Sequence, residues 1–175
     1  IVPPYDPTTT FGPLAGADRT SLTVGTMLFT LTGSGIAQYL GGVLTFEQTN
    51  AGSVLTLTAT GAGGTTITIA GGDDSALGTL KVVGNIIVDD LTVDGQVGTL
   101  LVPNVAGGAD WNLPGGVGSA KLGDPLSLDV TVGTVGTWTM GDEYAGGSFN
   151  ADAVDSFIVL GDVGATLDFF SAGTI

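Results

Sequence analysis

One short phrase returns six times between residues 77 and 175, and it limits the folds open to this chain. The phrase is a small apolar residue, then Gly (once Asp), then Thr or Ser, then an apolar residue. Its copies begin at Leu77, Val97, Val117, Val135, Val154 and Ala172. The successive intervals are 20, 20, 18, 19 and 18 residues. An internal repeat of this length is typical of proteins that stack one structural unit per repeat.

The residues after the Gly alternate in character. In the first copy Thr79 and Lys81 are polar, whereas Leu80 and Val82 are apolar. A period of two indicates a strand with one buried face. The residue before the Gly is also apolar, so we expect a corner at the Gly, because Gly tolerates the backbone angles that a corner requires. A second corner with Gly, Pro, Asn or Asp follows each strand, and Asn and Asp accept a left-handed conformation readily.

These features predict the coils of a parallel β-helix, or β-solenoid. Identical columns would stack at about 4.8 Å per coil, and each coil would bury its apolar residues against its neighbours. A second strand per coil is predicted in the less uniform stretches between the phrases, such as residues 90–94 and 128–132. A β-sandwich with evenly spaced strands is the alternative. Antiparallel strands do not call for the same residue in the same column, so the sequence favours the solenoid.

We divide the chain into an extended N-terminal arm (residues 1–20) and a single solenoid domain (residues 21–175). The arm holds four of the seven prolines and could dock on its own chain or on a neighbour. Residues 21–76 are predicted as irregular first coils, and residues 77–175 as regular coils.

Three local predictions concern the irregular coils. We expect two strands with a corner at Gly25 and a helical turn at residues 36–40 that caps the stack. Three alternating runs lie between residues 43 and 72, and for these an antiparallel hairpin is the alternative to coils.

Composition excludes several functions. The chain has 17 acidic and 3 basic residues among 175, for a net charge of −14, whereas nucleic-acid binding needs clustered Lys and Arg. No apolar run approaches the ~20 residues of a membrane span. The chain contains no Cys and no His, so catalysis would depend on carboxylates alone. Adjacent Asp residues point to opposite faces of a strand or complete a turn, and we do not expect an enzyme.

Calcium is the one cofactor that the sequence suggests. Hard cations bind carboxylate and carbonyl oxygens, and the candidate ligands are Asp73, Asp74, Asp142 and Glu143. The stretch from Gly71 to Asp74 is similar to part of the Gly-Gly-x-Gly-x-Asp calcium repeats, but it occurs once and lacks the third Gly. Solvated acidic corners are the alternative.

Two copies of the phrase extend into a longer match, Val117-Gly118-Ser119-Ala120-Lys121-Leu122-Gly123-Asp124 and Asp155-Ser156-Phe157-Ile158-Val159-Leu160-Gly161-Asp162. The pattern resembles the Gly-rich repeats of very large bacterial surface proteins, those of planctomycetes especially, and parts of adhesin and autotransporter passenger stalks. The resemblance covers residues 77–175. It implies a right-handed parallel β-helix that is secreted or displayed at the cell surface.

We therefore expect a structural role, as a subunit of an extracellular filament, surface layer or adhesive stalk. The sequence stops two residues beyond the Gly of the sixth copy without a polar cap, so either it is cut from something longer or another subunit covers this end. The predicted head-to-tail contact joins Phe169, Phe170 and Ile175 at one end to Tyr5 and Phe11 at the other. Repetition of such a contact builds a filament.

A carbohydrate-binding or carbohydrate-cleaving β-helix is the alternative function. Surface glycans would then be the partner, in a groove lined by outward aromatic and carboxylate side chains. The residues that would form this groove are Trp111, Asp142 and Tyr144.

Overall fold

The computed structural model describes residues 5–16, 18–73, 75–123, 125, 127–141, 143–169 and 172–174. The fold is all-β, and stacked parallel strands form a β-solenoid of about five turns. The prediction of a parallel solenoid is confirmed, and the β-sandwich alternative is wrong. In the described residues the helical content is one 3₁₀ turn, Pro13–Ala15. None of these residues belongs to a helix with the length and apolar character needed to cross a membrane.

Sixteen strands are present in the described part of the chain. In order they are β1 Thr10–Phe11, β2 Ser21–Val24, β3 Met27–Thr32, β4 Ile36–Leu40, β5 Val43–Glu47, β6 Val54–Ala59, β7 Thr65–Gly71, β8 Leu77–Val83, β9 Ile86–Thr92, β10 Val97–Val102, β11 Ala109–Leu113, β12 Val117–Leu122, β13 Leu128–Met140, β14 Gly147–Val159, β15 Thr166–Phe169 and β16 Ala172–Thr174.

The strands stack in two series, which we call sheet I and sheet II. Sheet I contains the repeated phrase and runs β2-β3-β6-β8-β10-β12, then the second halves of β13 and β14, then β16. Sheet II runs β1-β4-β5-β7-β9-β11, then the first halves of β13 and β14, then β15. The long strands β13 and β14 therefore pass through both sheets and join them. The second strand per coil that the sequence predicts is confirmed.

The columns of sheet I are those that the repeat predicts. Val97 pairs with Leu77 on one side and with Val117 on the other, and the same register continues through β13 and β14. The column two residues after the Gly is at most 2% exposed. Its members are Leu80, Leu100, Ala120, Trp138 and Phe157. Sheet II buries a facing column that includes Leu91, Trp111, Val130 and Phe149.

At Gly98 and Gly118 the Gly of the phrase is favoured by lack of space rather than by an unusual backbone angle, whereas the fifth copy has Asp155 at this position. Gly98 and Gly118 do not have positive φ. A Cβ on Gly118 would lie 2.6 Å from the carbonyl oxygen of Gly98, and a Cβ on Gly98 would lie 2.6 Å from that of Gly78. Backbone of the preceding coil occupies the place of the side chain. The alternation of buried and outward residues breaks at this position, as the predicted corner implies, because both Val97 and Leu100 are buried.

The asparagines of the second corner do not adopt the left-handed conformation that the sequence predicts. Neither Asn85 nor Asn104 has positive φ. The side-chain amide of Asn104 donates to the carbonyl oxygens of Gly84 (2.9 Å) and Ile86 (3.3 Å), which belong to the preceding coil. Asn85 donates to the carbonyl oxygen of Ala62 at 3.2 Å. These residues tie successive coils together.

The chain reverses direction twice near its N-terminus. Strands β2 and β3 form an antiparallel hairpin through Gly25 and Thr26, and β4 and β5 form another through Gly41 and Gly42. Both Gly41 (φ 60°) and Gly42 (φ 88°) have positive φ, as a two-residue type I′ turn requires. The two strands predicted around Gly25 are confirmed, whereas the helical turn predicted at residues 36–40 is wrong, because this segment is β4.

Strands β3 and β4 form one reversed coil between forward coils. Strand β3 pairs antiparallel with both β2 and β6, and β4 pairs antiparallel with both β1 and β5. Beyond them β5, β6 and β7 pair parallel with the next coils. Two reversals restore the original direction, so β1 and β2 run parallel to the strands of the regular coils.

Candidate functional surfaces

The last described coil leaves its apolar residues less covered than the coils before it. Leu167 and Phe169 of β15 are half-buried, whereas Phe149, beside Leu167 in β14, is fully buried. The Phe169 ring lies 5.7 Å from that of Phe149 and 5.6 Å from that of Phe157. Phe169 therefore extends the aromatic core toward the open side. Phe170 and Ile175, also predicted at this interface, lie outside the described residues.

The predicted contact residues at the other end have different roles. Phe11 is fully buried, and its ring stacks 6.1 Å from that of Phe29. It is therefore a core residue of its own chain, not an anchor on a neighbour, because β1 pairs with β4 of the same chain. Tyr5 is half-buried, and its carbonyl oxygen accepts a 3.4 Å hydrogen bond from Arg19. The described part of the predicted arm is thus docked on its own solenoid.

The aromatic residues predicted to contact a glycan point inward. Trp111 and Tyr144 are fully buried. The indole N–H of Trp111 donates to the carbonyl oxygen of Asp89 at 2.7 Å, and the Tyr144 hydroxyl donates to that of Leu128 at 2.6 Å. Burial, and secondarily the charge of Asp129, raises the pKa of Tyr144 far above its usual value near 10. Both residues are structural, and Asp142 lies outside the described residues.

The predicted calcium ligands do not form a site within the described chain. Asp73 and Glu143 are exposed, and Asp74 and Asp142 lie outside the described residues. No group of three or more acidic side chains arranged to hold a metal ion occurs among the residues that the structure describes.

The outer face of sheet I is polar and carries no acidic residue over four coils. Its first outward column includes the hydroxyl residues Thr79, Thr99, Ser119, Thr137 and Ser156. The second outward column places Lys81, Leu101 and Lys121 side by side. Both lysines are exposed. A shallow, mainly apolar groove of about 360 Å³ lies beside this column, and Leu101, Pro103 and Lys121 line it.

The outer face of sheet II has the opposite charge. Asp110 of β11 pairs with Asp129 of β13, and both are exposed. Asp90 lies one coil before them, because its carboxylate accepts a 3.1 Å hydrogen bond from the Asp110 backbone N–H. We call Asp90, Asp110 and Asp129 the aspartate ladder. The next outward column continues with Thr92, Asn112, Thr131, Asn150 and Asp168.

Neither charged face is among the sequence-based predictions. The sheet I column could have been read from the repeat alignment, in which Lys81 and Lys121 occupy the same position. The aspartate ladder depends on the register between β9, β11 and β13, and the loops before these strands differ in length.

Comparisons of the chain with protein families, with curated proteins and with solved structures find no match. The likeness to bacterial surface-protein repeats therefore stays a prediction.

Proposed function

We propose that this protein is a structural subunit of an extracellular filament, surface layer or adhesive stalk, in which copies stack head to tail along the solenoid axis. The observation that carries the proposal is the direction of the edge strands. Strands β1 and β2 at the N-terminal end run parallel to β15 and β16 at the other end. The resemblance to surface-protein repeats supports the location.

Two stacked copies would continue both sheets without a reversal. Strand β16 would meet β2 of the next copy in sheet I, and β15 would meet β1 in sheet II. Both new pairs would be parallel, like the pairs inside the molecule. A contact that repeats by translation does not close on itself, so it grows into a filament.

The N-terminal end offers free backbone groups for this contact, and the C-terminal end offers apolar surface. In the described chain β2 pairs with β3 on one side only. The Leu31 N–H donates to the Thr20 carbonyl oxygen, and bonded and non-bonded pairs alternate along an antiparallel ladder. The N–H groups of Ser21 and Thr23 therefore point away from β3. At the opposite end, stacking would cover the half-buried Leu167 and Phe169.

The test is a proline at the free edge, because Thr23→Pro removes an N–H that points outward and leaves the bonds to β3 in place. Thr23→Val is the matched control, since it keeps the N–H. We expect wild type and Thr23→Val to form uniform fibres in negative-stain electron microscopy, with a diffraction repeat near 4.8 Å along the fibre axis. Thr23→Pro should give short particles.

Leu167→Lys tests the opposite edge independently and should also shorten the fibres. Circular dichroism and thermal unfolding confirm that each variant folds, and a parallel sample with a calcium chelator tests for cation bridging. Compact wild-type particles under all conditions would refute self-assembly. Long fibres of Thr23→Pro would show that β2 is not part of the contact.

A further inference from the structure

Charge is segregated between the two long faces of the solenoid. Strands β8, β10, β12 and the second half of β13 carry Lys81 and Lys121 and no acid. Strands β9, β11 and the first half of β13 carry Asp89 and the aspartate ladder and no base. The whole chain has only three basic residues, so the location of two of them in one column distinguishes sheet I.

We propose that the outer face of sheet I binds the outer face of sheet II of a second copy, side by side. In this contact Lys81 and Lys121 of one copy face the aspartate ladder of the other. The surface is distinct from the end surfaces of the proposed function and does not require them.

The spacing of the two columns is matched because both are set by the same coils. Lys81 and Lys121 lie two coils apart, on either side of Leu101. Asp90 and Asp129 also lie two coils apart, on either side of Asp110. At about 4.8 Å per coil both intervals are roughly 10 Å. Two ammonium groups can therefore meet the two ends of the ladder at the same time.

The charges on both faces are not paired with an opposite charge in the described part of the chain, since Asp90 and Asp129 accept hydrogen bonds from uncharged donors, the Asp110 backbone N–H and the Ser148 hydroxyl. No described residue forms an ion pair or hydrogen bond with the ammonium group of Lys81 or Lys121. On the other face the carboxylates repel one another, because they stack in successive coils and are exposed. Lysines of a second copy would reduce this repulsion. Opposite charge across an interface also fixes its register and suppresses wrong pairings.

The partner of the lysine face is a second copy rather than an anionic surface or a polyanion. A second copy carries the same net charge of −14, but it offers carboxylates at the interval that the two lysines match, which a generic anionic surface or polyanion does not. Because sheet I of one copy meets sheet II of the next, the contact repeats sideways. Solenoids would then line up in a flat layer.

The test is sedimentation velocity in the presence of EDTA, in the Thr23→Pro background, so that end-to-end stacking does not contribute. K81Q/K121Q and R19E are matched variants, since each changes the net charge from −14 to −16. Each exposed pair is a weak interaction. We expect the double lysine variant to weaken lateral association roughly tenfold and R19E to leave it near the wild-type value.

The decisive experiment mixes K81Q/K121Q with a second variant that lacks charges on the other face. D90N/D129N keeps the shape of the ladder and removes the charges at its two ends. D90N/D129N and K81Q/K121Q should each associate alone roughly tenfold more weakly than the Thr23→Pro parent, whereas an equal mixture should regain the parental affinity, because one variant keeps the lysine face and the other keeps the ladder. Association should also disappear in 1 M salt, where the screening length is about 3 Å.

Three results would overturn the proposal. They are monomers at all protein concentrations at about 0.1 M salt, where a screening length of about 10 Å limits the repulsion between the net charges, equal association of K81Q/K121Q and R19E, and no recovery in the mixture. Association that EDTA abolishes would identify cation bridging instead. Failure of fibre growth by the wild type leaves this test unaffected, since it is read in the end-blocked background.

Discussion

The two ends of the solenoid close the same core in different ways. At the N-terminal end a reversed coil and β1 cover the stack, and Phe11 and Phe29 are fully buried. At the C-terminal end β15 continues the regular pattern, and Leu167 and Phe169 are only half-buried. One more coil of the repeat therefore does not complete the core. Each regular coil covers its predecessor and exposes its own apolar residues in turn.

The largest expected loss of stability comes from removing an aromatic ring at the N-terminal end, and removing a ring at the C-terminal end should cost less. Phe29→Ala removes a buried ring that stacks on Phe11 and on Tyr39, and should lower the free energy of unfolding by about 3–5 kcal/mol. Phe169→Ala removes a half-buried ring and should cost about 1 kcal/mol. Chemical denaturation measures both. Equal losses would mean that the C-terminal coil is as well covered as the N-terminal end.

Glycines have different roles in the coils and in the hairpins, and substitutions should distinguish the two roles. Gly118→Ala should cost about 1–3 kcal/mol, because the new Cβ meets the Gly98 carbonyl oxygen, and Gly118→Asn should cost more. Gly41 has positive φ and open space around it, so Gly41→Asn should be almost neutral, since Asn suits a type I′ turn. Thermal unfolding of the variants distinguishes the two causes. Gly107→Ala, with no atom within 4 Å of the new Cβ, is the control for the coils.

The burial of the Tyr144 hydroxyl can be tested through the pH dependence of the free energy of unfolding. Tyr144→Phe leaves the Leu128 carbonyl oxygen without its partner and should cost about 1–3 kcal/mol near neutral pH. The folded pKa is raised, so the unfolded state loses this proton first. Wild-type stability should therefore fall as pH rises above about 10. Denaturation at a series of alkaline pH values should show a smaller fall for Tyr144→Phe, and parallel curves would contradict the burial of the hydroxyl.

The smallest expected effect is the difference in stability loss between Phe substitutions at Trp111 and at Trp138, the two tryptophans of the regular coils. The Trp111 indole N–H has a backbone acceptor, whereas the buried Trp138 N–H has no hydrogen-bond partner among the residues that the structure describes. Both Trp→Phe changes lose similar volume, but only Trp111→Phe also loses a hydrogen bond. It should therefore be about 1 kcal/mol more destabilising than Trp138→Phe. Unfolding midpoints compared side by side test this difference, and the opposite order would show that the Trp138 N–H is satisfied.

The regular coils were predictable because each column repeats the same chemistry. Val97, Val117 and Val135 occupy one column in the sequence alignment and one column in the sheet. The N-terminal coils were not predictable in the same way. A strand that pairs antiparallel has the same alternation as one that pairs parallel, so the pattern of β3 and β4 does not reveal their direction. The local signals of the two tight hairpins are Gly25 in the first and Gly41 with Gly42 in the second.

The surfaces were harder to predict than the core. Tyr144 and Trp111 are large aromatic residues near turns, and residues of these types occur in binding grooves as well as in cores. Their inward direction depends on register with neighbouring coils, which sequence spacing does not give when loops vary. Phe169 could be assigned to the last coil from sequence, because the regular spacing of the repeated phrase gives the coil to which each residue belongs.

The reversed coil also affects the order in which the molecule folds. The β2–β3 and β4–β5 hairpins join residues that are close in sequence, whereas each parallel pair must first close a loop of nearly a full coil. Hairpins form within about 1–10 μs, and distant pairings are slower. We therefore expect a nucleus at the N-terminal end from which the coils are added one at a time. Pulse-labelled hydrogen exchange should detect protection first in β2–β5 and last in β14–β16.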